Sequence, residues 1–138
     1  MKKNVIAVIG GTAFLLSSAL AFAGDASSSA VYIISPKDGE TVKGPVTVQF
    51  GLKGWGVAPA GVAKENTGHH HLLVDVEAAP AAGAPIAKDD NHIHFGGGQT
   101  ETTLKLTPGK HTLQLVLGDK DHVPVEGLAS QVVTINVE

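Results

Sequence analysis

The sequence contains no cysteine, which excludes disulfide bridges, thiol nucleophiles and zinc–thiolate sites. It contains no arginine either, so all ten basic residues are lysine. No GxSxG nucleophile elbow, P-loop or dinucleotide fingerprint occurs. The glycine triplet Gly96-Gly97-Gly98 neither follows a long parallel strand nor opens a helix. Long apolar runs are missing as well, apart from one at the N-terminus.

That run follows Lys2 and Lys3 and ends in the small-residue pattern Ala21-Phe22-Ala23, ahead of Gly24 and Asp25. It predicts a Sec-type signal peptide over residues 1–23, cleaved after Ala23. No cysteine stands at the cleavage point, so a lipid anchor is excluded and no stable membrane anchor is expected. A Ser-rich linker over 24–30 then leads into a single domain over 31–138. Cleavage leaves 138 − 23 = 115 residues, a length that buries roughly two-thirds of its unfolded surface in one core. The remaining eight lysines and 13 acids give 8 − 13 = −5 with histidines neutral, which argues against nucleic acid as a partner. Export implies a periplasmic or secreted protein.

The exported part alternates at period two and is punctuated by Pro and Gly, the signature of strands. Val31–Ile34 reads as a first strand, Ser35 to Gly39 as a turn, and Pro45 to Lys53 as a second strand with Val46, Val48, Phe50 and Leu52 on its apolar face. Gly54 to Gly68 has no sustained period and is expected as a long loop with Trp55 packed back against the domain. Next comes "TGHHHLLVDVE", in which Leu72, Val74 and Val76 share one face, with His70 towards it, and His69, His71, Leu73 and Asp75 share the other. Residues 78–90 form an Ala/Pro/Gly-rich connection, and "NHIHFGGG" begins as a short strand. Thr100 to Leu106 and His111 to Leu117 are expected to pair across a Thr107-Pro108-Gly109-Lys110 turn. Gln131 to Val137 closes the domain. No helix is expected in the exported chain, and six or seven short strands in this length predict an all-β, antiparallel β-sandwich.

Two resemblances sharpen this reading. "ISPKDGETVKGPVTVQF", "LLVDV" and "LTPGKHTLQLVLGD" with "VTINV" resemble bacterial immunoglobulin-like domains. That resemblance implies an immunoglobulin-like sandwich and a structural role for His111, at a corner where such domains place His or Tyr for backbone hydrogen bonding. The sequence departs from the pattern at Val76, where a turn glycine is usual, so the third strand is expected to run longer. "FGLKGWGVAPAGVAKENTGHHHLLVD" and "NHIHFGGGQTE" are similar to a family of small exported bacterial proteins known only as a domain of unknown function. This implies secretion and leaves the biochemical role unassigned.

The seven histidines all lie between positions 69 and 122. Two HxH pairs, His69 with His71 and His92 with His94, carry the functional expectation. Residues i and i+2 of a strand project from one face about 6.6 Å apart at Cα, and two such pairs can supply four nitrogen donors without sulfur. Imidazole suits zinc and copper, and copper(II) has the highest affinity in the divalent series. A non-enzymatic module binding copper(II) or zinc through His69, His71, His92 and His94 is therefore expected. Asp75 is placed as a further ligand or as the group orienting one of these imidazoles, and the glycines after His94 as room for close backbone approach. Ligation by neutral imidazoles predicts loss of binding below about pH 6. His70 is expected as a hydrogen-bonded rim residue, His122 as a solvated hairpin residue, and Asp89 and Asp90 as a solvated pair. One alternative is an envelope-structural module that engages an envelope protein through the 54–68 loop and its sheet edges, without metal. Another is a cupin-like metalloenzyme, which requires Glu101 and His111 to meet His92 and His94. Oligomeric state is left open.

Overall fold

The computed structural model describes residues 29–138. The signal peptide expected over 1–23, and the linker expected over 24–30 except its last two residues, lie outside the described residues. Ten strands follow one another: β1 (Ala30–Ser35), β2 (Thr41–Val42), β3 (Val46–Lys53), β4 (Gly56–Val57), β5 (Thr67–Val74), β6 (His92–His94), β7 (Glu101–Leu104), β8 (Gly109–Gly118), β9 (Pro124–Ala129) and β10 (Val133–Val137). Seven of them have four or more residues; β6 is the short strand expected within NHIHFGGG, whereas the two-residue β2 and β4 and the six-residue β9 were not expected from the sequence.

Two sheets result. One has the order β1-β3-β7; the other has β2-β10-β8-β5-β4, with β6 also on β5 and β9 also on β8. The pairings are antiparallel except for the short β2–β10 and β4–β5 contacts, which are parallel. This is an all-β, immunoglobulin-like sandwich. The alternation in β3 drives its placement: Val46, Val48 and Phe50 are buried while Thr47 and Gln49 face water. They meet Leu72, Val74, Leu113, Leu115, Leu117 and Ile135 from the facing sheet in one core. Trp55 packs against this core from its edge.

Strand β5 departs from alternation, because seven of its eight residues are buried. The inter-sheet core covers one face. On the other, Leu73 packs with Val116 and with Ile86 of the 78–90 connection, forming a second small cluster. A strand covered on both sides can carry histidines on its outer face without exposing them to water.

Three expectations are corrected. First, β7 and β8 do not form a hairpin: β7 pairs with β3 and β8 with β5 and β10, so Thr107-Pro108-Gly109 carries the chain from one sheet to the other. Apolar residues at alternate positions of both segments satisfy the same core from opposite sides, which periodicity cannot distinguish from a hairpin. Second, β5 ends at Val74 and does not run longer; Asp75 itself takes the left-handed conformation (φ 55°), which Asp tolerates better than most residues. Third, Asp75 is not at the histidine end. Its carboxylate accepts from the Thr112 backbone N–H (2.9 Å) and from His111 Nδ1 (2.7 Å).

His111 plays the corner role that the immunoglobulin-like resemblance implied. Its Nε2 bonds back to the Thr107 carbonyl, 2.7 Å away. Both of its ring partners are acceptors, so only the doubly protonated ring donates to each. The Asp75 hydrogen bond accordingly raises the His111 pKa above its ordinary value.

Asp75→Ala is expected to lower unfolding free energy by about 1 kcal/mol, at the low end for a charged hydrogen bond because the carboxylate is part-exposed. Asp75→Asn, which keeps an acceptor for Thr112, is expected to cost less. With the folded-state pKa of His111 raised, this stabilisation is complete below the ordinary value of about 6.5 and is lost as pH rises through the raised one. Urea titrations at about pH 5.5 and about pH 9 therefore should show the gap between wild type and Asp75→Ala narrowing at the higher pH. A gap independent of pH would refute the protonated corner.

Candidate metal centre

Antiparallel pairing of β5 with β8 sets His69 opposite Gly118 and His71 opposite Val116. On its other edge β5 pairs with β6, setting His71 opposite His94 and Leu73 opposite His92. His69, His71 and His94 thus emerge on the outer face of one sheet. The chain leaving β8 turns directly over that face. Asp119 organises the turn, its Oδ1 accepting from the N–H groups of Asp121 (2.8 Å) and Val123 (2.9 Å). His122 sits there at φ 67°, a left-handed backbone that swings its ring towards the strands. Ile86 N–H donates to the His122 carbonyl (2.8 Å) and ties the turn to the covering connection.

Four imidazoles meet as a result. One nitrogen from each of His69, His71, His94 and His122 lies within 4.8 Å of every other. His69 Nε2 is 3.1 Å from His71 Nε2 and 3.0 Å from His122 Nδ1. Ring centroids are separated by 4.9 Å (69–71), 5.0 Å (69–94), 5.0 Å (69–122), 5.0 Å (71–94), 5.9 Å (71–122) and 4.7 Å (94–122). His69 and His71 are buried; His94 and His122 are half-buried and form the solvent side.

Two glycines make this crowding possible. A Cβ on Gly96 would lie 2.3 Å from His94 Cε1, and one on Gly118 would lie 2.8 Å from His71 Nε2. Both are closer than a side chain can come, so the rings occupy space that only glycine leaves open.

The cluster does not satisfy itself by hydrogen bonding. A neutral imidazole has one N–H and one lone pair. His69 Nε2 can accept from both neighbours only if its proton sits on Nδ1, which is buried without a partner. His71 Nδ1 and His94 Nε2 are also buried and unpartnered. Burial disfavours the charged form, and neighbouring rings add to this. Desolvation, then His94 and His122, lowers the pKa of His69 to about 4. Desolvation, then His69, His94 and His122, lowers that of His71 to about 3. His94 is lowered too, by burial first and then by His122. Lone pairs are therefore available at neutral pH.

The structure redistributes the residues singled out in the sequence. His69, His71 and His94 come together, whereas His92 does not join them. It lies opposite Leu73, and its Nδ1 is held 2.8 Å from Asp89 Oδ1, which also accepts from the His92 and Asn91 N–H groups. That pairing lowers the Asp89 pKa, so Asp89 is the anchor of this turn and not a free solvated acid. His122, expected in solvent, supplies the fourth ring. The signal for it was the strand pairing: once His69 faces Gly118, the residues after Gly118 must fold over the histidine end. His70 is no rim residue. It is buried in the core, its ring centroid 5.1 Å from that of Phe50, with neither ring nitrogen partnered. The cupin-like set does not assemble, since His111 is held by Asp75 and Thr107 and Glu101 belongs to the opposite sheet.

A family model described as a domain of unknown function, DUF4399, matches residues 48–138. No curated protein matches the chain. Among solved structures, the chain is similar to the fibronectin(III)-like modules of Clostridium thermocellum CbhA, at 15% identity and a TM-score of 0.43 over 78% of this chain and 95% of that one. It is also similar to the endo-β-1,4-mannanase of Thermotoga petrophila, at 18% identity and a TM-score of 0.49 over 83% of this chain and 21% of that one. The chain thus spans about a fifth of the mannanase.

Because the folded-state pKa values of His69 and His71 are lowered, the protein without metal is expected to lose stability as pH falls below about 6.5, where the unfolded chain takes up protons and the buried rings do not. The loss continues until pH reaches the folded values of about 4 and about 3, at up to about 1.4 kcal/mol per pH unit per ring. His71→Leu is expected to raise metal-free stability by about 1 kcal/mol, by removing a poorly satisfied buried polar group, and to flatten this acid limb. Urea midpoints between about pH 7 and pH 4 check both effects; a destabilised His71→Leu with an unchanged acid limb would contradict them.

Proposed function

The chain belongs to the DUF4399 family of unknown function, and from the four converging imidazoles we propose that it is an exported, non-enzymatic module binding zinc or copper(II) through His69, His71, His94 and His122. Export rests on the leader predicted over residues 1–23. The observation that carries the metal is the set of ring separations. For zinc–nitrogen bonds of about 2.05 Å in a tetrahedron, donor nitrogens stand about 3.3 Å apart and ring centroids about 5.2 Å. All six centroid separations, from 4.7 to 5.9 Å, bracket that value.

A square plane would instead require two separations of about 6.4 Å, and the longest is 5.9 Å, between His71 and His122. Geometry favours zinc, while the affinity series favours copper(II), which would have to flatten the site. Four protein donors are what sites that hold zinc use, whereas catalytic zinc keeps a position for water. Binding as a function fits this donor count better than catalysis. His69 Nδ1 and His71 Nδ1 lack the outer hydrogen-bond partner that usually orients and strengthens a ligating ring, which favours an exchangeable ion over a permanently held one.

Titration of the purified protein with zinc and with copper(II) near pH 7.5 is expected to show one site per chain. Affinity is expected to fall at least about tenfold in His71→Ala and in His122→Ala and to be retained in His92→Ala. Binding weaker than about 100 μM in wild type, or dependence on His92 in place of His122, would overturn the assignment. Burial also moves the acid limit. Loss below about pH 6 holds for ordinary imidazoles, whereas His69 and His71, lowered to about 4 and about 3, keep their lone pairs at about pH 5.5, so the acid limit is not set by these two ligands.

A further inference from the structure

The motif Trp55-Gly56-Val57-Ala58-Pro59-Ala60-Gly61 has no part in the chemistry above, yet its backbone crosses the end of the molecule where the histidines meet. Gly56 N–H donates to the Asn66 carbonyl (2.9 Å) and Ala58 N–H to the Gly68 carbonyl (2.8 Å). Ala60 N–H then donates to the Gly96 carbonyl (2.9 Å), and Gly61 N–H to the Lys120 carbonyl (3.0 Å). Gly68 immediately precedes His69, Gly96 lies two residues after His94, and Lys120 two residues before His122. One six-residue segment thus binds all three stretches that carry the four rings, each next to its histidine.

The sequence of the segment suits this task. Its donors fall at alternate positions 56, 58 and 60, as in a strand. Pro59, which has no N–H, stands between them on the side that makes no bond. Gly61 takes φ 83°, and a Cβ there would meet nothing within 4 Å. Glycine is required at that point by the backbone turn that brings its N–H to Lys120, not by crowding.

We propose that Gly56–Gly61 is the positioning strap of the metal site: it fixes the spacing of the β5, β6 and 119–123 segments, and metal affinity depends on it although none of its side chains touches the ion. The proposal rests on the metal reading above.

The test compares wild type with Ala60→Pro, which deletes the N–H to Gly96, and Gly61→Ala, which strains the turn without a clash. Ala60→Ser keeps the donor. Gly44→Ala imposes a comparable strain (φ 76°, nothing within 4 Å) far from the strap, in a turn bonded to Glu138. Zinc affinity is read by competition with a chromophoric chelator. Contact between the His94 and His122 rings, whose centroids are 4.7 Å apart, is read in the metal-free protein as a nuclear Overhauser effect. Ala60→Pro and Gly61→Ala are expected to bind zinc about tenfold or more weakly and to weaken the ring contact, while Ala60→Ser and Gly44→Ala match wild type in both. Should Ala60→Pro not fold, Gly61→Ala carries the comparison alone. Wild-type affinity in both strap variants would overturn the strap and leave the metal site standing. A wild-type protein that takes neither zinc nor copper(II) would overturn both.

Discussion

The register between β5 and β8 is the constraint on which the remaining structure depends. With His71 opposite Val116 and Leu72 opposite Leu115, Leu72 and Val74 enter the inter-sheet core while His69 and His71 stay together on the outer face. A slip of one residue would exchange these sets, driving His69 and His71 into the core and Leu72 and Val74 out of it. The apolar side of the strand therefore enforces the position of the polar side. The same pairing delivers Gly118, and with it the following turn, to the place where His122 completes the cluster.

Confining four imidazoles in this way works against folding. Burial desolvates His69, His71 and His94, and one ring nitrogen of each has no hydrogen-bond partner. Among the described residues, the other buried polar side chains are His70 and Ser130. Natural sequences do not ordinarily gather unsatisfied buried nitrogens at one point, and where such strain on stability persists it is most often tied to a site that acts.

The sandwich could be read from the sequence because its signals are local. Period-two runs in β3, β8 and β10 state which residues face inward, and Pro and Gly state where the chain turns. Pairing is not local. The 107–110 corner looks like a hairpin because both flanking strands are apolar at alternate positions, and only the tertiary choice of sheets decides otherwise. The site divides in the same way. His69 and His71 share a face by spacing alone, and the glycines after His94 were legible as close approach. His92 shares that spacing with His94 but is drawn off by Asp89 three residues earlier, a local capture that the "DDNH" segment states if it is weighed against the HxH pattern. His122 could not be found from spacing, because it depends on which strand lies beside β5.

The two rings joined at 3.0 Å, His69 and His122, are 53 residues apart in the chain. In a protein without cysteine, an ion gripped by both would close a loop that no covalent bond closes. The entropy withdrawn from the unfolded chain by a permanent link of that span is worth about 4 kcal/mol. A metal held there would act as a reversible staple, fastening the domain when the ion is present and loosening it when a competing chelator removes it.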